Sequence, residues 1–187
     1  MGITIHYYTE HGNHLDPATA RDIFTRAAFL AKEIAGEYGW EFAGMSRSAS
    51  RWYMEHVPGG STVQATGAVR SALWNPSPGC ESFELQWVEG TGILPYAFTK
   101  TQYAEDRVRV HAEICDLLTR LNTEVFDGKL SISDEGHFLP ERAIDRLAHS
   151  FGENEDVIRR MVDAARGAGW TVSSPLDGVP PSFPPRP

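Results

Sequence analysis

The sequence predicts an α+β domain, a mostly antiparallel sheet with helices packed on one face. Three observations carry that reading. Apolar and polar residues alternate over "GITIHYYT" and "ESFELQWVE", the pattern of strands with one face on a core and one in water. Apolar residues recur at helical spacing over residues 17–38, 105–125 and 154–166. The strand-like segments fall together in the middle of the chain, not in turn with helices, which is the α+β order.

The elements follow in sequence. Ile3, Ile5 and Tyr7 face one way from the first strand, and Thr4, His6 and Tyr8 the other. Asp16–Pro17 starts a helix, with a side-chain acceptor at the cap and a first-turn residue that lacks the N–H the turn would leave unpaired. Its apolar face is Ile23, Phe24, Ala27, Leu30, Ala31, Ile34 and Tyr38, and Gly39 ends it. From Trp40 the period is two, with strands expected near 41–47, 50–56, 62–74, 82–89 and 94–102. The breaks between them include "PGG", "NPSPG" and "GTG". A helix over 105–125 carries the stripe Val110, Ile114, Leu117, Leu118, Leu121 and Val125. The strand "KLSIS" comes next, then helices at 140–151, closed by Gly152, and 154–166. The expected order is β-α-β-β-β-β-β-α-β-α-α. Residues 1–170 read as one domain. Residues 171–187, with six prolines in the last 13, read as an extended proline-rich tail.

Composition narrows the function classes. The net charge of −8 carries no basic patch for phosphate contacts, so nucleic acid is not the expected partner. No stretch reaches the roughly 20 apolar residues of a membrane helix. The opening residues lack a signal-peptide pattern, so the expected location is cytoplasmic. Cys80 and Cys115, the two cysteines, read as buried thiols in a reducing compartment.

Four stretches hold the chemistry-bearing residues. "HYYTEHGNH" puts His6, Glu10, His11 and His14 near one another, but between a strand and a helix start it reads as a polar loop, and no metal is assigned to it. "HAEIC" lacks the second cysteine pair of a zinc deaminase, so His111 reads as a half-buried imidazole at the helix–sheet interface that needs a partner. In "FTKTQYA", Tyr96, Phe98, Lys100 and Gln102 share one face of an extended strand, and Lys100 either holds an anion or reaches to solvent. "SDEGHF" sets Asp134, Glu135 and His137 around Gly136, as an acid/base pair, a metal half-site or a turn needing glycine for positive φ.

"FTKTQYA", the helical His111 and the "SDEGHF" turn together resemble an uncharacterised family of small bacterial proteins. That family has a Lys-Thr-Gln-aromatic stretch, a helix with His, and an Asp-Glu-Gly turn followed by an aromatic. The resemblance covers about residues 3–150 and brings no activity with it. It implies Lys100, Gln102, His111, Asp134 and Glu135 as binding residues, while His137 stands where the family has an aromatic.

The expectation is a non-enzymatic binding or regulatory protein of immunity or inhibitor type. It would use an open sheet face for a protein or small-molecule ligand, without a cofactor. The alternative is a small enzyme whose site gathers Lys100, His111, Asp134 and Glu135 at one end of the sheet, a metal-dependent form adding His137 or the opening histidines.

Overall fold

The computed structural model describes residues 3–9, 15–57, 61–95, 97–174 and 177. Nine elements follow one another in it: β1 (Thr4–Thr9), α1 (Pro17–Glu37), β2 (Glu41–Val57), β3 (Ser61–Asn75), β4 (Phe83–Val88), β5 (Ala97–Lys100), α2 (Arg107–Glu124), β6 (Leu130–Asp134) and α3 (Ile144–Gly167). The class is α+β and every strand pairing is antiparallel.

The six strands make two three-stranded sheets, ordered β5-β1-β6 and β2-β3-β4. At the seam between β4 and β5 the join is a set of individual bonds and not a ladder. The Tyr7 hydroxyl donates to the Glu84 carbonyl (2.9 Å) and accepts from the Glu84 amide (3.2 Å). The Glu81 amide donates to the Lys100 carbonyl (3.1 Å). Tyr7 thus satisfies a backbone edge that would otherwise face the seam unpaired.

The helices cover one face of both sheets. Ile5 and Tyr7 from β1, Trp74 from β3, and Phe83, Leu85 and Trp87 from β4 pack with Phe24, Ile34, Ile114, Leu118, Leu147 and Phe151 from the helices. α1 begins as its sequence dictates: Asp16 accepts from the amides of Ala18 and Thr19, both at 3.0 Å. Gly39 follows its end at φ 75°.

Three boundaries depart from the pattern-based reading. Residues 41–57 are one strand and not two near 41–47 and 50–56: an irregularity in register between Ser48 and Arg51 falls where the two were expected to part. The last two helices are one, α3, which starts at Ile144 and not at Pro140 and runs through a buried Gly152. The strand expected at 94–102 shortens to β5, so the residues after Lys100 turn inward. The order is therefore β-α-β-β-β-β-α-β-α. No described helix is long and apolar enough to cross a membrane. Apart from residues 171–174 and Asp177, the proline-rich tail lies outside the described residues.

Candidate functional site

β1 is the central strand of its sheet, and its register decides which candidate residues can meet. Thr4 pairs with Lys100 on β5, and Ile5 with Asp134 on β6. Paired residues share a face and successive residues alternate, so Lys100 lies on the Thr4 face and Asp134 on the opposite, helix-covered face. Glu135 sits beside Thr4: its amide donates to the Thr4 carbonyl (3.1 Å), and its Oε2 accepts from the Thr4 amide (3.0 Å). His6 Nε2 lies 3.4 Å from Glu135 Oε1 on that outer face. The four residues of the enzyme alternative are therefore divided by the sheet, His111 and Asp134 inside, Lys100 and Glu135 outside.

Inside, Thr101, His111 and Asp134 form a line of short contacts. His111 projects from α2 and is fully buried, not half-buried. Its Nδ1 is 2.8 Å from the Thr101 hydroxyl and its Nε2 is 2.7 Å from Asp134 Oδ1. Thr101 has a second acceptor within reach, the Ile3 carbonyl at 3.4 Å, but that carbonyl already accepts the Thr101 amide at 3.0 Å. The shorter contact gives Thr101 donating to Nδ1, with Nε2–H donating to the Asp134 carboxylate.

Asp134 also organises its own turn. Its Oδ1 accepts from the Gly136 amide (2.6 Å), and its Oδ2 from the amides of Phe138 (2.7 Å) and Leu139 (3.0 Å). Burial pushes its carboxyl pKa up, but the hydrogen bonds from His111 and from the Leu139 and Gly136 amides outweigh burial and hold it below the ordinary range.

Gly136 is needed here for space and not for positive φ, which falls instead on His137 at 56°. A Cβ on Gly136 would lie 2.8 Å from His111 Nε2 and 2.6 Å from Leu147 Cδ1. The imidazole can pack under this turn only because the residue has no side chain.

Gln102 leaves the strand face assigned to it from sequence and is fully buried. Its Oε1 accepts from the Ile3 amide (3.3 Å) and from Asn154 Nδ2 of α3 (2.7 Å). His137 is exposed and lines a surface cleft with Glu135, Glu153 and Asn154. Of the opening histidines only His6 is described; Glu10, His11 and His14 lie outside the described residues, as does Tyr96.

The order hydroxyl–imidazole–carboxylate is that of a nucleophilic triad. Thr101 and His111, however, have no exposed surface, so a substrate cannot reach the hydroxyl. In this setting the three side chains brace the segment after β5, helix α2 and the turn after β6 against one another. Sequence reasoning missed Thr101 and Asn154. The only signal for Thr101 was its place between Lys100 and Gln102.

A second candidate region lies on the open side, at the seam between the sheets. Arg51 of β2 reaches across to Glu84 of β4 with two bonds (2.5 and 3.0 Å) and donates to Ser71 (3.0 Å). Tyr53 is buried with Val69 and Val88. The distal half of β2 thereby forms one wall of a groove of about 320 Å³, lined by Trp52, Met54, Glu84, Gln86 and Phe98 among others. Trp52 is 66% exposed and Phe98 48% exposed. Comparison with protein-family models, curated proteins and solved structures gives no match to this chain.

Proposed function

We propose that the protein is a non-enzymatic binding or regulatory protein that takes a segment of a partner protein in the seam groove. The observation that carries this reading is the exposure of Trp52 and Phe98, large apolar side chains, on the walls of a groove in which Arg51 and Glu84 pair with each other and Glu81 adds a negative charge. Such a surface gains by burying aromatic area, and aromatic anchors in a groove are the usual source of binding energy at protein interfaces. The net charge of −8 favours a basic partner, as an inhibitor of a basic protein would require. Against catalysis stands the division of the polar residues: His111 is fully buried and Asp134 meets it on the helix-covered face, while Lys100 and Glu135 sit on the other face.

The test is a pair of variants, Trp52→Ser with Phe98→Ser, compared with wild type for capture of a partner and for its affinity by calorimetry. Both residues are solvent-exposed, so melting should change little. Binding to the captured partner should fall about a hundredfold, the loss of two anchors of about 1–2 kcal/mol each. Unchanged affinity in the double variant sinks the groove as the site. Turnover of a small substrate by the purified protein sinks the reading as a whole.

A further inference from the structure

The buried polar line includes one group that the brace does not use. Cys115 lies one helical turn after His111 on α2, so both side chains leave the same face of the helix. A ring nitrogen of His111, the Cys115 sulfur and an Asp134 oxygen all lie within 4.8 Å of one another, and Nε2 is the nitrogen that faces Asp134. We propose that these three side chains bind one divalent transition-metal ion of the zinc class, linking α2 to the turn after β6.

The donor set fits that ion. One nitrogen, one sulfur and one carboxylate oxygen suit a borderline-soft cation better than calcium or magnesium, which take oxygen alone. Bond lengths of about 2.0–2.3 Å place ligand atoms roughly 3.3–3.8 Å apart around a tetrahedral centre. The Nε2–Oδ1 contact of 2.7 Å must then open by about 0.6 Å. Asp134 lines a surface groove of about 420 Å³ with Asn122, Thr119 and Arg142, which gives an ion and a fourth, water ligand a route in.

The supporting contacts are those a metal centre needs. The Thr101 hydroxyl holds His111 by the nitrogen that would not bind metal, and three amides fix the Asp134 carboxylate. Thr101 also has the alternative acceptor that a change of tautomer demands. When Nε2 gives its proton up to bind the ion, Nδ1 carries the imidazole proton and donates to Thr101. The hydroxyl then turns to the Ile3 carbonyl at 3.4 Å. The imidazole stays neutral and Cys115 loses its thiol proton, so the balance is one proton released to solvent for each ion bound.

Cobalt(II) titrated into chelator-treated protein tests this directly, since a thiolate ligand gives a near-ultraviolet charge-transfer band. The expected result is a band saturating at one equivalent, kept in Cys80→Ser and lost in Cys115→Ser, with circular dichroism confirming that both variants are folded. Thr101→Val should keep the band and weaken binding roughly 10–100-fold. Zinc should raise the melting temperature of wild type and leave Cys115→Ser unmoved. The proposal is overturned if no band saturates at one equivalent, or if the band persists in Cys115→Ser. A His–Asp–Thr hydrogen-bonded brace alone would give that first result.

Discussion

Gly136→Ala measures how tightly the turn after β6 is packed on His111. Its Cβ would come to 2.6 Å from Leu147 Cδ1 and to 2.8 and 2.9 Å from His111 Nε2 and Cε1. Both neighbours are fully buried, and His111 is held at both ring nitrogens, so neither can swing into solvent. Gly136 is not among the residues at positive φ, so the substitution adds volume without adding backbone strain. Overpacking of this kind costs about 1–3 kcal/mol. If the imidazole yields, its charge-assisted bond to Asp134 goes too, at about 1.5 kcal/mol or more. The expected loss is about 2–4 kcal/mol, a large share of the roughly 5–15 kcal/mol that holds a domain folded. Urea denaturation gives the value, with the slope against denaturant checked for a change in the unfolded state. Gly36→Ala in α1, whose Cβ would meet nothing within 4 Å, is the control and should gain about 0.5–1 kcal/mol. A Gly136→Ala protein within about 0.5 kcal/mol of wild type, at unchanged slope, refutes the packing argument.

Tyr7→Phe removes the hydroxyl that serves both backbone groups of Glu84 and should cost about 1–3 kcal/mol by urea melting. Burial pushes the Tyr7 phenol well above its ordinary pKa, so this loss should be constant across neutral and mildly alkaline pH. Asp16, at the start of α1, has its carboxyl held below the ordinary range first by the Thr19 hydroxyl, then by the Thr19 and Ala18 amides. A depressed folded pKa gives stability that is present above the unfolded value of about 3.9 and is lost as pH falls through the folded one. Asp16→Asn caps without titrating, so its stability should decline less steeply than wild type below about pH 4, as read from melting temperature against pH. Thr101→Val and His111→Ala, singly and together, should show a coupling of about 1–2 kcal/mol in a double-mutant cycle; additivity within about 0.3 kcal/mol would mean that the two do not act as a unit.

What was legible in the sequence was local. Asp16–Pro17 and Gly39 marked the ends of the first helix because caps act over a single turn. The alternation in "ESFELQWVE" named the buried side of β4 correctly, since Phe83, Leu85 and Trp87 are all buried. Gly152 misled because glycine in a helix costs about 1 kcal/mol relative to alanine and is common just past a helix end, so it reads as a stop. Here Leu147, Phe151 and Glu155, all buried on the same stretch of α3, carry the helix past it. Residues 46–50 misled because Ala49 is the one apolar residue among them, too little to show that β2 continues through its irregularity. Gly136 was flagged as a turn residue, but whether a glycine is there for φ or for space depends on neighbours 25 and 11 positions away in the chain, His111 and Leu147.

The site was lost at the same step, from alternation to register. Alternation gives each strand two faces but does not say which face of β5 meets which face of β6, and the answer runs through β1, about a hundred residues earlier in the chain. A shift of one residue in either pairing would have put Lys100 and Asp134 together. The same polar residues then gain a different meaning. A hydroxyl, an imidazole and a carboxylate at an exposed mouth would be poised for proton transfer; with the hydroxyl and imidazole fully buried, each finds its partner in the others and the set holds three chain segments in one arrangement. Burial, and not residue type, separates those two uses. Cys115 packs in the core with its sulfur among these groups, and the hydrogen bonds close without it. A metal ion would bring that sulfur into the set, which is why the cobalt titration separates a brace from a metal centre where sequence and packing alone treat them alike.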